Sequence, residues 1–430
     1  MLKMKKVFSK SNAVGFLALV VGVAMLAALS GCAPSMKSIT EDGKYSPVET
    51  ADGLVLGTEN AATNTVSWKG IPYAKAPVGD LRWKKPQPLD KRAEPLKTEM
   101  FGKICPQYID HDMNPATPQT IVGDEDCLTL NIWAPKGGAA DLPVFFWIHG
   151  GGNSIQWPLL SRLDGGILAD KGKMIVVTFN YRLGPMGFWN HPVLKTGNAE
   201  ADSGNFALLD MMAALKWVQA NIRNFGGNPG NVTIAGESAG GQNVFALLTS
   251  PMAKGLFSKA ISQSGVVRHF SPEVGAAHVN SILVKMMVAD QTAADEKAAA
   301  EKLKSLSAKE INAYMRSKSA AAFLSAYPEG PAAGMIRIPT CFIDGTVLPL
   351  DFYQAFQTGQ YNKVPTLLGT NKEETKLFVR SLPLFDGWRK DGSLFKDPAK
   401  IEFYDLVNKY QSDGWKVMAV DYPARLLRDN

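Results

Sequence analysis

Four short stretches of this chain, residues 142–148, 174–180, 232–235 and 364–368, are almost continuously apolar and show no alternation that would leave one face to water. Runs of this length and character suit strands buried on both faces of a parallel sheet. Parallel neighbours need a crossover of a dozen or more residues. Residues 205–222 supply one, with Phe206, Leu209, Met212, Leu215, Val218 and Ile222 recurring at helical spacing. The pattern predicts an α/β fold in one domain. Ahead of it, residues 48–74 read as short strands broken by Asp52-Gly53 and by the polar stretch 59–64, which predicts antiparallel hairpins. Residues 293–326 are rich in Ala, Lys and Glu with helical periodicity, and are expected to form a helical insertion covering one side of the sheet.

The front of the chain has a different character. Residues 1–10 are basic, 13–29 are apolar, and the run closes on Leu29-Ser30-Gly31-Cys32. This is the layout of a secretory signal, and its end resembles a bacterial lipobox. That resemblance implies a signal peptide over 1–31, a lipid on the Cys32 thiol that holds the protein at the membrane, a tether over 32–47, and a place in the bacterial cell envelope. The apolar run is shorter than the ~20 residues a spanning helix needs. Lys3, Lys5, Lys6 and Lys10 carry four of the six net positive charges, and no later block is rich in Lys or Arg, so nucleic acid is not an expected partner.

Export permits disulfides. Cys105 and Cys127 enclose a short loop, and a bridge across it would contribute about 3 kcal/mol. Cys341 lies between Pro339-Thr340 and Phe342-Ile343, a setting that suits a buried, inert thiol.

The residues that carry chemistry follow the third apolar run. Gly236-Glu237-Ser238-Ala239-Gly240 stands between that run and an apolar stretch, 243–248, suited to a helix. As a bare pattern the pentapeptide is weak evidence; its placement carries the weight. A serine on a sharp strand-to-helix turn needs glycine two residues before and after it, so that strand and helix can pass closely. The helix dipole and free N–H groups there favour the negative charge that develops during attack on a carbonyl. A second element fits: Trp147-Ile148-His149-Gly150-Gly151-Gly152 ends an apolar strand in three glycines, whose N–H groups, with that of Ala239, would make an oxyanion hole.

From about Val48 onward the chain resembles the type B carboxylesterases and cholinesterases, a branch of the α/β-hydrolases. The likeness runs through Lys69-Gly-Ile-Pro-Tyr-Ala74, Pro77-Val-Gly-Asp-Leu-Arg-Trp83, Glu125-Asp-Cys-Leu-Thr-Leu-Asn131, Asn180-Tyr-Arg-Leu-Gly-Pro-Met-Gly-Phe188, and the long block from Asn224 to Gly241 that contains the serine. It implies an α/β-hydrolase fold, with a mostly parallel central sheet and helices on both faces, and a carboxylic ester hydrolase working through an acyl-enzyme. Ser238 would be the nucleophile, Gly151, Gly152 and Ala239 the oxyanion hole, and Cys105 would pair with Cys127. Alignment of Gly369-Thr-Asn-Lys-Glu-Glu374 on Gly369 and Asn371 puts the orienting acid at Glu374 rather than Glu373. The Cys105–Cys127 loop holds one aromatic, Tyr108, and no Trp, which argues against a choline ester. The expected substrate is a small neutral carboxylic ester. Neither a cofactor nor a metal is expected.

The chain departs from that family in its base. The reaction needs a histidine downstream of the acid, yet the five histidines stand at 111, 149, 191, 269 and 278, all before Glu374. The family continues past a segment like residues 415–427 with a further strand and the histidine loop. The expectation is therefore an incomplete domain over 48–430, the front portion of a longer protein, with its last strands and helices missing, an open sheet edge, near-zero activity as written, and activity restored when the rest is supplied. Two other readings stand beside it. A non-catalytic cholinesterase-like binding or adhesion protein fits less well, since such relatives typically lose the serine that is intact here. A Ser/Lys hydrolase through Ser393-Leu-Phe-Lys396 lacks both the companion motifs and a strand-turn-helix setting.

Overall fold

The computed structural model describes residues 45–109, 120–156, 164–327 and 335–429. The expected signal peptide, Cys32 and all but the last residues of the expected tether lie outside them, as does His111. The two hairpins form as expected: β1 (Tyr45–Thr50), β2 (Gly53–Asn60) and β3 (Thr65–Pro72) are antiparallel neighbours, and the short β4 (Leu96–Lys97) pairs with β2. A separate ribbon joins β5 (Gln107–Ile109) to β6 (Thr120–Val122).

The remaining strands are β7 (Thr129–Pro135), β8 (Leu142–Ile148), β9 (Ile175–Phe179), β10 (Gly227–Glu237), β11 (Lys259–Gln263) and β12 (Thr366–Gly369). They extend the hairpins into one sheet in the order β1-β2-β3-β7-β9-β8-β10-β11-β12. From β9 to β12 every pairing is parallel. Ile148 lies opposite Gly236, Glu237 opposite Gln263, and Gln263 opposite Gly369. The loops that leave β8, β10, β11 and β12 therefore emerge side by side at the carboxyl edge, where open α/β sheets bind ligands.

Phe146, Phe179, Ile234, Val177 and Ile175 are fully buried, which explains the unbroken apolar runs. The crossover helix α2 (Phe206–Asn221), which follows α1 (Gly166–Gly172), is buried nearly all round rather than on one stripe. Asp210 lies fully buried in it because the Arg182 guanidinium forks onto its carboxylate at 2.8 Å through both Nε and Nη2. After the serine comes α3 (Ala239–Thr249), packed on β10 and β11.

The insertion differs from expectation in extent and position. It begins earlier, as α4 (Pro272–Ala289), and continues through α5 (Glu296–Ser305), α6 (Ala308–Ser317) and α7 (Ala320–Ser325), capped in turn by Ser271, Asp295, Ser307 and Ser319. It does not cover a sheet face. Its apolar stripe, Val279, Ile282, Leu283 and Met286, closes instead on Trp83, Trp189 and Phe323 in a core of its own, because Trp83 and Trp189 stack at 5.9 Å and offer a flat apolar platform. Tyr108 belongs to this contact too, buried and donating its hydroxyl to the Leu324 carbonyl at 3.0 Å.

Cys105 and Cys127 are joined in a disulfide. Replacing both by serine is expected to lower unfolding stability by about 3 kcal/mol, measured as the shift in urea midpoint between the two proteins without reductant. Cys341 is free and buried, with its thiol pushed up to about 12 by burial, in keeping with an inert residue. Among the described residues β12 pairs only with β11, so the sheet ends there on an edge strand. Leu367 on that strand is 59% exposed. A cavity of ≈ 390 Å³ lies between it and the helix Tyr422–Arg428, lined by Tyr361, Val364, Leu368, Val420 and Leu427.

Candidate active site

Ser238 sits between β10 and α3 with φ 57° and ψ −120°, a conformation an L-residue adopts only under constraint. The constraint is visible. Its N–H donates to the Gln263 carbonyl at 2.8 Å, and its carbonyl accepts from the Gln242 N–H at 2.9 Å. On either side a Cβ is forbidden: one on Gly236 would lie 2.4 Å from the Gly240 carbonyl carbon, and one on Gly240 would lie 2.1 Å from the Ile148 oxygen. The turn therefore has glycine where the sequence argument requires it. The Ser238 hydroxyl is half-buried and has no hydrogen-bond partner among the described residues.

The glycine loop lies against this turn. A Cβ on Gly150 would stand 3.2 Å from Ser238 Cβ. Gly151 and Gly152 take φ of 91° and 64°, left-handed values that glycine adopts freely. The Gly151 carbonyl closes the turn by accepting from the N–H groups of Ser154 and Ile155, both at 3.1 Å. The N–H groups of Gly151, Gly152 and Ala239 donate to no acceptor among the described residues. Met335 covers the far side of Gly152, where a Cβ would meet its Sδ at 3.1 Å.

Glu374 and Glu373 have different surroundings. Glu373 is exposed and paired with Lys376 at 2.6 Å, which holds its carboxyl below the usual range. Glu374 is half-buried, and its Oε2 accepts four bonds: from Ser264 Oγ, Thr370 Oγ1 and the Asn371 N–H, each at 2.8 Å, and from Asn371 Nδ2 at 3.1 Å. Its Oε1 accepts none among the described residues. Glu237 lies within electrostatic reach, so that burial first and the Glu374 charge second push its carboxyl up. Sequence reasoning missed Ser264, which follows β11 with φ 56° and whose N–H is fixed to the Gly369 carbonyl at 2.7 Å. The signal that could have found it was Gln263-Ser264-Gly265 at the end of a strand.

None of the four described histidines bonds to Ser238 or Glu374. His149 is 2% exposed, with Nδ1 2.9 Å from the Gly150 oxygen and its ring stacked on Tyr181 at 4.3 Å. His191 pairs with Asn280, His278 with Tyr327, and His269 stacks on Phe352. Burial pushes all four imidazoles down, His149 to about 4. A folded pKa below the unfolded value means that the unfolded chain binds the proton more readily. Stability is then fully present above about pH 6.5 and is lost as pH falls towards 4, by on the order of 3 kcal/mol for His149. Urea midpoints between pH 7 and pH 4.5 should show this fall, and a His149→Gln variant should fall less.

The S-x-x-K string does not assemble: Ser393 Oγ accepts from Lys400 Nζ at 2.7 Å, not from Lys396, and Ser393 opens a single 3-10 turn rather than a strand-to-helix turn. Among the described residues no three His, Cys, Asp or Glu side chains are grouped to hold a metal, and no helix is long and apolar enough to cross a membrane.

A mixed sheet entered by hairpins, a strained serine between strand and helix, and a glycine loop on the neighbouring strand together define an α/β-hydrolase. The carboxylesterase family model matches residues 44–422, and the chain belongs to that family. It is 39% identical over 335 residues to the para-nitrobenzyl esterase of Bacillus subtilis (strain 168), covering 77% of this chain and 63% of that one. To the fumonisin B1 esterase of Sphingopyxis macrogoltabida it is 37% identical over 338 residues, covering 78% and 57%. Among solved structures, a PNB esterase superposes with a TM-score of 0.66 at 33% identity, covering 89% of this chain and 76% of that one. A Geobacillus stearothermophilus carboxylesterase superposes at 0.65 with 32% identity, covering 88% and 76%. The chain thus spans less than two thirds of the length of the first two of these esterases.

Proposed function

We propose that this chain carries the nucleophilic half of a serine carboxylesterase acting on small neutral carboxylic esters. Ser238 Oγ attacks the ester carbonyl, and the oxygen that becomes negative is received by the N–H groups of Gly151, Gly152 and Ala239. Collapse breaks the bond to the alcohol, which leaves with a proton, and water then releases the acid from the acyl-serine. Glu374 offers Oε1 to orient an imidazole, since Oε2 is already saturated. No described histidine takes that position, so the 430-residue chain by itself is slow. The proposal extends to a signal peptide over 1–31 and a lipid on Cys32 that would hold the protein in the bacterial cell envelope.

The observation that carries this reading is the strained Ser238 in contact with the glycine loop. The name of one relative, para-nitrobenzyl esterase, is in keeping with an uncharged ester. With imidazole supplied as the base, a fluorophosphonate probe is expected to label the chain at one serine, identified by mass spectrometry as Ser238, and to leave a Ser238→Ala variant unlabelled. Labelling that persists in the variant, or maps to another serine, would reject the assignment.

A further inference from the structure

The oxyanion hole, taken as proposed above, draws its donors from two elements far apart in the chain. Gly151 and Gly152 follow β8, and Ala239 opens α3. Donors of this kind work only when held to about half an ångström. Among the described residues the loop 149–156 and α3 share a single directional link, made by two amide side chains. Asn153 and Asn243 are 1% and 0% exposed and face each other. Asn243 Nδ2 donates to Asn153 Oδ1 at 2.7 Å, and Asn153 Nδ2 reaches Asn243 Oδ1 at 3.4 Å.

The pair is anchored on both sides. Tyr181 donates its hydroxyl to the His149 carbonyl at 2.8 Å, with Asn153 Oδ1 a second acceptor at 3.2 Å. Asn153 itself is left-handed, φ 55°, and its carbonyl accepts from the Gly184 N–H at 2.7 Å. Next to Asn243 on α3, Gln242 Nε2 is tied to the Thr340 hydroxyl at 3.1 Å and the Arg268 carbonyl at 3.2 Å. An apolar pair would hold the same two elements by contact, but without direction. Buried reciprocal amides accept few arrangements, since sliding one past the other orphans a donor and an acceptor in a dry site.

We infer that Asn153 and Asn243 are positioning residues that set the Gly151 and Gly152 N–H groups against that of Ala239. This rests on the proposed function above. The test compares the intact chain with Asn153→Ala, Asn243→Ala and the double variant through two readouts. The first is fluorophosphonate labelling of Ser238 at a fixed imidazole concentration, resolved into a limiting rate and a half-saturating probe concentration. The second is hydrogen exchange of the peptide covering residues 149–156.

Each single variant is expected to lower the limiting rate at least about tenfold, with half-saturation unchanged within about twofold, and the double variant to lose no more than either single. Exchange of residues 149–156 is expected to rise at least about tenfold while the peptides of β9 and β10 stay protected. Limiting rates equal to that of the intact chain would overturn the inference. So would losses that multiply in the double variant, or exchange that rises throughout the fold, which would mark a merely structural role. Absence of any label on Ser238 in the intact chain with imidazole present would instead reject the proposed function, and the exchange readout, which needs no chemistry at Ser238, would still decide whether the amides hold the loop.

Discussion

Hydrolysis of p-nitrophenyl butyrate by the 430-residue chain is expected to run at a residual rate, about 10³-fold or more below a complete Ser–His–acid site, and to rise at least tenfold with about 0.1 M imidazole. The reason is a proton. In the proposed mechanism Ser238 loses one as its oxygen bonds to the carbonyl carbon, and the alcohol gains one as it leaves. None of the described imidazoles is hydrogen-bonded to Ser238, and neither is Glu374. What the described residues do provide is a hydroxyl without a partner and a glutamate with Oε2 filled and Oε1 open. On the proposed mechanism, a free imidazole would take the place of the base, donating one N–H to Oε1 and accepting from Ser238 with the other nitrogen. Only the neutral form accepts, so the rescued rate should climb as pH rises through the imidazole pKa, near 7, and then level off. Imidazole also attacks activated esters in solution, so the quantity that matters is the rate in excess of the Ser238→Ala variant at equal imidazole. Equal rescue in that variant would remove Ser238 from the chemistry. Fast turnover without imidazole would show that another group supplies the base.

The parts of this site that were legible in the sequence are those fixed by backbone. An apolar run that begins at Leu142 and ends at Ile148 has few alternatives to a doubly buried strand, and β8 takes those bounds. Glycines at 236 and 240 report close passage of strand and helix, a requirement that acts at fixed spacing. β10 extends beyond its apolar centre because residue 227 re-enters the ladder opposite Leu142 after an irregularity, something that Asn, Pro and Gly do not advertise. The insertion was recognisable as helix from its period, but not where it would lie, since its stripe is equally suited to a sheet face or to the Trp83 and Trp189 platform. Side chains that act across the chain were the least visible. Ser264, Asn153 and Asn243 are ordinary polar residues until the fold brings 264 to 374 and 153 to 243.

Gly240→Ala is expected to cost roughly 3 kcal/mol or more, enough to leave much of the protein insoluble on expression. Helix propensity alone predicts the opposite, because alanine inside a helix is favoured over glycine by about 1 kcal/mol. Position 240 lies in the first turn of α3, and its new Cβ would stand 2.1 Å from the Ile148 oxygen and 2.9 Å from the His149 oxygen. Both obstacles are backbone, at the end of a central strand, so neither can rotate aside. Relief requires α3 to lift from β8, which pulls Ser238 from the glycine loop. Gly414 in the helix Pro398–Lys416 supplies the contrast, with nothing within 4 Å of its added Cβ. The same substitution there should leave stability unchanged or raise it by up to about 1 kcal/mol. Urea denaturation of the two variants separates clash from propensity by sign. If Gly240→Ala were as stable as the starting chain, strand and helix would not pass each other so closely, and the strained presentation of Ser238 on which the proposed esterase chemistry depends would not exist.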